Sequence, residues 1–233
     1  VDLNSDVAPE GALDIAFFDA IGFGTVVDSL SAIKTLVFEQ KRLSMKELLE
    51  ALDCNFEGKE DIQALLQGAP SFGNGDLEVD TQGRMLEKSA LDFTARYAGK
   101  NGVQPLEIRT TSVTANVPHG KFVGATPNGR KAWMPLSDGS SPSHGSDRNG
   151  PTAVLLSQYQ STNWNAANRA CRLLNMKMAP KTVEGEEGTK KLVDLIRAFI
   201  NLRVWHLQMN IINRETLVAA QKDPQKYKNL VVR

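Results

Sequence analysis

The chain has 233 residues, 41% apolar and 23% charged, and its 27 Lys plus Arg balance 27 Asp plus Glu. That balance excludes the basic excess of a non-specific nucleic-acid binder, and there is no polybasic run for a membrane surface. No apolar stretch approaches the roughly 18 residues of a membrane span and no export signal opens the chain, so neither nucleic acid nor membrane is an expected partner and the expected compartment is the cytoplasm.

The first hundred residues read as mostly helical. In "DSLSAIKTLVFEQKRLSMKELLEALDCNF", Leu30, Ile33, Leu36 and Val37 recur at helical spacing, and Ser44 with Glu47 forms a capping box that starts the next helix. After the turn-rich "GAPSFGNGD", the segment from Asp80 to Tyr97 carries Met85, Leu86, Ala90 and Phe93 on one stripe and predicts a third long helix.

The second part alternates. "LEIRTTSVTANV", 106–117, is rich in β-branched residues, is bounded by Pro105 and Pro118, and predicts a strand. The segment 124–151 follows, holding five of the 18 glycines and four of the 10 prolines without either periodicity, so it reads as an ordered loop or a flexible linker. "CRLLNMKM" predicts a second strand, Glu187–Leu202 a helix, and "VWHLQMNII" a third strand. Asn213 then caps the helix "RETLVAAQK", which Asp223-Pro224 ends. The alternation implies βαβ units and a parallel sheet or barrel with helices outside, and in a barrel the loop 118–151 sits at a strand end, where sites collect. The chain opens on Val1 and closes on "NLVVR", whose β-branched density reads as a strand just beginning, so a piece of something longer is expected.

Few motifs carry chemistry. "GATPNGRK" has the outline of a phosphate loop, but Arg130 stands at the lysine position and Lys131 at the Ser/Thr position that would hold magnesium; a turn at Pro127-Asn128-Gly129 explains it better. His119, His144 and His206 lack zinc spacing, and His144 reads as a solvated loop residue. Cys54 and Cys171 read as buried, reduced thiols. Arg109 is more informative, because strand periodicity puts it on one face with Thr111 and Val113. Facing inward, its guanidinium needs an anion such as a carboxylate, sulfonate or phosphate; facing outward, it meets solvent or a carboxylate such as Glu107.

Four blocks, "VVDSLSAIKTLVFEQKRLSMKELLEAL", "GATPNGRKAWMPLSDGSSPSHGSDRNGPTAVL", "LLNMKM" and "QMNIINRETLVAAQKDPQKYKNLVVR", resemble in order and spacing the C-terminal part of glycyl radical enzymes, the pyruvate formate-lyase family. The resemblance implies an α/β fold, part of a ten-stranded β/α barrel with surrounding helices. Residues 1–233 are then a C-terminal portion of one barrel domain, helical over 1–100 and alternating over 105–233. It also implies that the thiyl-forming cysteine and the radical glycine lie outside this chain, since neither Cys54 nor Cys171 matches the cysteine motif and the glycine follows the "NLVVR" pattern. The piece alone is therefore expected to be inactive. No metal or organic cofactor is expected on the lyase; a radical S-adenosylmethionine activating enzyme installs the glycyl radical under anaerobic conditions, and members are often homodimers.

Within the family the blocks are most similar to the dehydratase and C–X lyase branch. An arginine at the position of Arg109 is similar to the one that sulfonate-cleaving members use to hold the SO3 group of isethionate. On that likeness Arg109 faces inward and binds the sulfonate, Val113 lines the pocket and Thr111 is a further contact, with sulfite and an aldehyde as products. The alternatives are dehydration of glycerol or propane-1,2-diol and, less suited to a cationic side chain, cleavage of choline.

Overall fold

A computed structural model describes residues 16–97 and 106–230. Four parallel strands, β1 (Ala16–Asp19), β2 (Leu106–Thr110), β3 (Arg169–Met178) and β4 (His206–Ile211), lie side by side in chain order. Parallel neighbours need long crossovers. The first contains α1 (Phe23–Ala32), α2 (Met45–Asp53), α3 (Glu60–Gln67) and α4 (Leu77–Tyr97); the second contains α5 (Asn116–Gly120) and α6 (Pro151–Gln160); the third is α7 (Gly185–Asn201), and α8 (Arg214–Lys222) follows β4. β3 pairs with β2 through its first residues, Ile108 against Arg169 and Thr110 against Arg172, and with β4 from Leu173 to Met178. Such a stagger tilts successive strands as a closing barrel requires.

Alternate residues of β2 and β3 are buried: Ile108 and Thr110, then Ala170, Arg172, Leu174 and Met176. Leu174 and Met176 pack with Val154 and Leu155 of α6 and Leu195 of α7, so the helices cover that face of the sheet. The fold is the expected α/β arrangement, a partial parallel sheet with surrounding helices.

Local signals place most helix ends. Ser44 accepts from the Glu47 N–H while the Glu47 carboxylate accepts from the Ser44 N–H, completing the capping box. Asn213 caps α8 through the Thr216 N–H at 2.9 Å. The apolar faces are less regular than expected. The helix after α1 widens over Ile33–Glu39 into a π-helical stretch, which closes i→i+5 bonds and rotates the stripe. Leu36 is buried with Ile33 and Val37 packed beside it, whereas Leu30 is left 42% exposed.

In α4 the expected stripe splits: Met85 and Phe93 are exposed, Ala90 is half-buried and Leu86 packs against the cluster of Phe23, Val27, Phe72 and Val79, while the buried residues are Val79, Asp80, Gly83, Glu87, Leu91 and Thr94. Two polar members of that face, Glu87 and Thr94, have partners on the second crossover and β3. Glu87 lies 3.5 Å from the Arg172 guanidinium and accepts from the Asn163 N–H at 2.6 Å. Thr94 Oγ1 and the Leu91 carbonyl accept from Asn168 Nδ2. Arg172 also donates to Ser161 and Thr162 and lies over the Phe23 ring.

The predicted strand 106–117 ends early, at Thr110. β-branched composition favours extension, but a turn at 113–115 intervenes and Asn116 opens α5. The short β1 carries no comparable signal, since its partner lies some ninety positions away in the chain: Ala16 pairs with Leu106. Pro105 and the strand expected to begin in "NLVVR", at 231–233, lie outside the described residues.

The segment 124–151 is ordered packing and not a linker. Thr25 and Ser137 exchange hydrogen bonds, each backbone N–H donating to the other's hydroxyl at 3.0 and 2.9 Å. Past the end of β2, Ser140 donates to the Leu173 carbonyl at 2.8 Å and Ser141 Oγ accepts from the Asn175 N–H. Gly139 makes the approach possible: it has φ 54, and a Cβ there would sit 2.6 Å from the Leu173 carbonyl oxygen.

Two outcomes follow from this packing. Gly139→Ala should lower stability by about 2–3 kcal/mol, read as a shift in the urea unfolding midpoint, because strain and a backbone clash coincide. Burial pushes the Asp80 carboxyl from 3.8 up to about 7. A group with a raised folded-state pKa contributes fully below its unfolded value, and that contribution is lost as pH rises through about 7. Asp80→Asn should therefore match the parent at about pH 4 and exceed it by about 1–3 kcal/mol at pH 8 in the same urea assay.

Candidate functional site

Arg109 is the penultimate residue of β2, on the opposite face from buried Ile108 and Thr110, and thus on the side of the sheet that the helices leave open. Its neighbour across the parallel pair is Asp19. Arg109 Nε and Nη2 both donate to the Asp19 carboxylate, the latter at 2.9 Å, in the side-on forked geometry that guanidinium favours. The guanidinium also lies 4.5 Å from the centre of the Phe17 ring, two residues earlier on β1. The carboxylate that pairs with Arg109 is therefore Asp19 and not Glu107. The hydrogen bond to Asp19 raises the Arg109 pKa, keeping the cation charged.

This pairing leaves the other edge of the guanidinium available. A guanidinium has five N–H donors, and the Asp19 fork engages the Nε side. The end-on edge, Nη1 with the second N–H of Nη2, can receive a second oxyanion. Asp19 thus orients Arg109 without exhausting it.

Thr111 and Val113 lie beyond the strand, so strict alternation does not place them with Arg109. Thr111 is buried, at 8% exposure. Val113 has φ 52 and is 60% exposed, presented by a turn and not by a strand. The left-handed region is unfavourable for a β-branched residue, and such outliers persist where the surroundings fix them. Here Ser112 Oγ accepts from the Gly139 N–H at 3.0 Å and donates to Asp138 Oδ1.

Other residues noted in the sequence have structural roles. Arg130 spends its guanidinium on the carbonyls of Val123, Gly124, Lys131 and Met134, holding the loop together, while Gly129 takes φ 83 in the turn. Cys54 is exposed at the C-terminus of α2, contrary to the buried position expected of it, because the helix ends there; Cys171 is half-buried, and both are free thiols. His144 is exposed. Among the described residues no group of three His, Cys, Asp or Glu could hold a metal ion, and no helix is long and apolar enough to cross a membrane.

A cavity of about 470 Å3 lies elsewhere, between α1, α3 and the 128–148 loop, lined by Asp28, Gln67, Arg130, His144 and Arg148 among others. Burial pushes Asp28 up to about 7, against hydrogen bonds from the Ser143 side chain and the Phe72 N–H. Arg109, Thr111 and Val113 do not line it. Sequence reasoning missed Asp19 and Asp138; an acid closing the apolar run "AFFD" was the available signal for the first.

Comparison with known proteins gives a consistent set of relatives. Residues 5–120 match the family model described as pyruvate formate lyase-like, and residues 136–233 match the one described as glycine radical. The chain is 54% identical over all its 233 residues to an isethionate sulfite-lyase of Oleidesulfovibrio alaskensis, and it spans 28% of that protein's length. Among solved structures, hydroxyproline dehydratase from Clostridioides difficile with trans-4-hydroxy-L-proline bound superposes with TM-score 0.87 at 36% identity, over 95% of this chain and 28% of that one. The glycerol-bound B12-independent glycerol dehydratase from Clostridium butyricum gives 0.86 at 36% identity, with the same coverage.

The Arg109–Asp19 pair is partly solvated, with side chains 34% and 41% exposed. Asp19→Asn should therefore cost less than about 1 kcal/mol in urea unfolding, since exposed ion pairs contribute little to stability.

Proposed function

The chain belongs to the glycyl radical enzymes of the pyruvate formate-lyase family, and from that premise we propose that it is the C-terminal portion of a radical lyase that cleaves isethionate to sulfite and acetaldehyde. The observation that carries the reading is the 54% identity to isethionate sulfite-lyase across the whole chain, against 38% and 40% to the dehydratase relatives over somewhat less of it. In this reading residues 1–233 contribute one part of a barrel wall. The thiyl-forming cysteine and the radical glycine come from outside it, and a radical S-adenosylmethionine enzyme activates the assembled protein. The protein works anaerobically in the cytoplasm as a homodimer.

The radical supplies hydrogen abstraction at the hydroxyl-bearing carbon and hydrogen return after bisulfite has left. The residues of this chain bind and orient. Arg109 receives the sulfonate on its end-on edge while Asp19 and the Phe17 ring hold the plane of the guanidinium. A sulfonate presents oxygens that accept two parallel N–H bonds, which the point charge of a lysine cannot match. Holding the leaving group at one end fixes the other end relative to the reacting centre. Val113 and Thr111 form the adjoining wall. Carbon–sulfur cleavage gains when the departing sulfite keeps its charge partner, so the same contact serves binding and departure.

The test is sulfite and acetaldehyde release from isethionate by the full-length protein, activated anaerobically, with glycerol and propane-1,2-diol alongside. Sulfite release with loss of about tenfold or more in kcat/KM for Arg109→Lys supports the reading. Aldehyde from a diol with no sulfite would replace it with a dehydratase.

A further inference from the structure

We propose that Asp138 is a positioning residue for this reaction: it fixes the turn that presents Thr111 and Val113 and so sets the fit of the pocket wall to the substrate. The inference rests on the proposed role of that wall.

Val113 holds a left-handed conformation, φ 52, that a β-branched residue does not adopt unaided. Residues 136–139 bracket the turn on both sides. At its start, Ser112 is clamped by the Gly139 N–H and the Asp138 carboxylate. At its end, Asn116 Nδ2 donates to the Leu136 carbonyl at 3.2 Å, and the Leu136 N–H returns a bond to the Asn116 carbonyl at 3.1 Å. Inside the bracket, the Ala115 N–H donates to the Ser112 carbonyl at 2.6 Å.

The chemistry of the clamp singles out Asp138. Ser112 Oγ already accepts from Gly139, so its own proton goes to Asp138 Oδ1. The other oxygen, Oδ2, accepts from Asn175 Nδ2 at 2.7 Å, and the residue is 9% exposed. Asp138 accepts at both oxygens, so it is the group on which Ser112 and Asn175 meet. Asn175 is itself fixed in β3, where its N–H donates to Ser141 Oγ at 3.0 Å. The turn after β2 is thereby referenced to β3 through one side chain.

Asp138→Ala removes both acceptors. Asp138→Asn keeps the framework, because its amide oxygen accepts from Ser112 and its N–H2 donates to the Asn175 amide once that amide turns to present its oxygen. The experiment measures kcat and KM for isethionate in the activated full-length protein, with glycyl radical content by electron paramagnetic resonance. Asp138→Ala should raise KM about tenfold, the scale of one charge-assisted hydrogen bond, with kcat and radical content little changed. Asp138→Asn should keep KM within about threefold of the parent. An unchanged KM in Asp138→Ala, a loss confined to radical content, or as large a rise in KM for Asp138→Asn as for Asp138→Ala would overturn the proposal. If the parent turns over a diol and releases no sulfite, the substrate assignment fails, and the same comparison of KM for the diol still decides the role of Asp138.

Discussion

Beyond Thr110 the flank of β3 that β2 had occupied would lie open, and the backbone of residues 139–141 takes over part of that flank. The substitution is possible only because residue 139 carries no side chain where it meets the Leu173 carbonyl. Much follows from this one approach. It brings Asp138 to Ser112 and Asn175, sets Ser137 against Thr25 of α1, and draws Leu136 to Asn116. Six consecutive residues thus connect the first helix, the end of β2 and the middle of β3. The geometry at the end of β2 is therefore a property of the crossover as much as of the strand.

The helix-covered face is held partly by polar chemistry. Arg172, from the middle of β3, meets Glu87 from α4 in a buried pair, with Ser161 and Thr162 taking further guanidinium donors. A buried ion pair gives little net stability compared with an apolar substitute, but removing one partner is costly, so such groups fix how elements meet. Here the pair fixes the register of a 21-residue helix against the sheet. On the open face the electrostatics differ: Arg109 is half-exposed, with one edge held and one edge free. One arginine of this sheet is engaged in packing, and another keeps part of its guanidinium toward solvent.

Those differences explain how much the sequence disclosed. Elements governed by nearest neighbours were legible: Ser44 with Glu47, Asn213 before α8, and the alternation in "CRLLNMKM" all signal locally. β1 was not, because four residues acquire strand character only from a partner far along the chain. The stripe of α4 misled in part for a related reason, since Glu87 and Thr94 look solvent-facing until Arg172 and Asn168 are in place. At the site, Arg109 stood out as a cation in an apolar strand, and the family likeness suggested its use. Its partner Asp19 and the Asp138 clamp under Val113 required three-dimensional proximity. Thr111 and Val113 were grouped with Arg109 by an alternation that stops at Thr110, so the turn conformation now has to account for their placement.

β1 and β4 are the outer strands of the described sheet. On β1, consecutive residues Phe17 and Phe18, which point to opposite faces, are 47% and 55% exposed. A parallel edge with half-exposed apolar side chains is a template for strand addition, and natural sheets protect such edges with charge, proline or cover. Prepared on its own, this polypeptide would present that template to other copies of itself, and its solubility would then depend on protein concentration. A carrier or a charged substitution on β1 is a practical condition for handling it, and a purification that tracks only secondary structure would miss the resulting self-association, because added strands give the same spectrum as native ones.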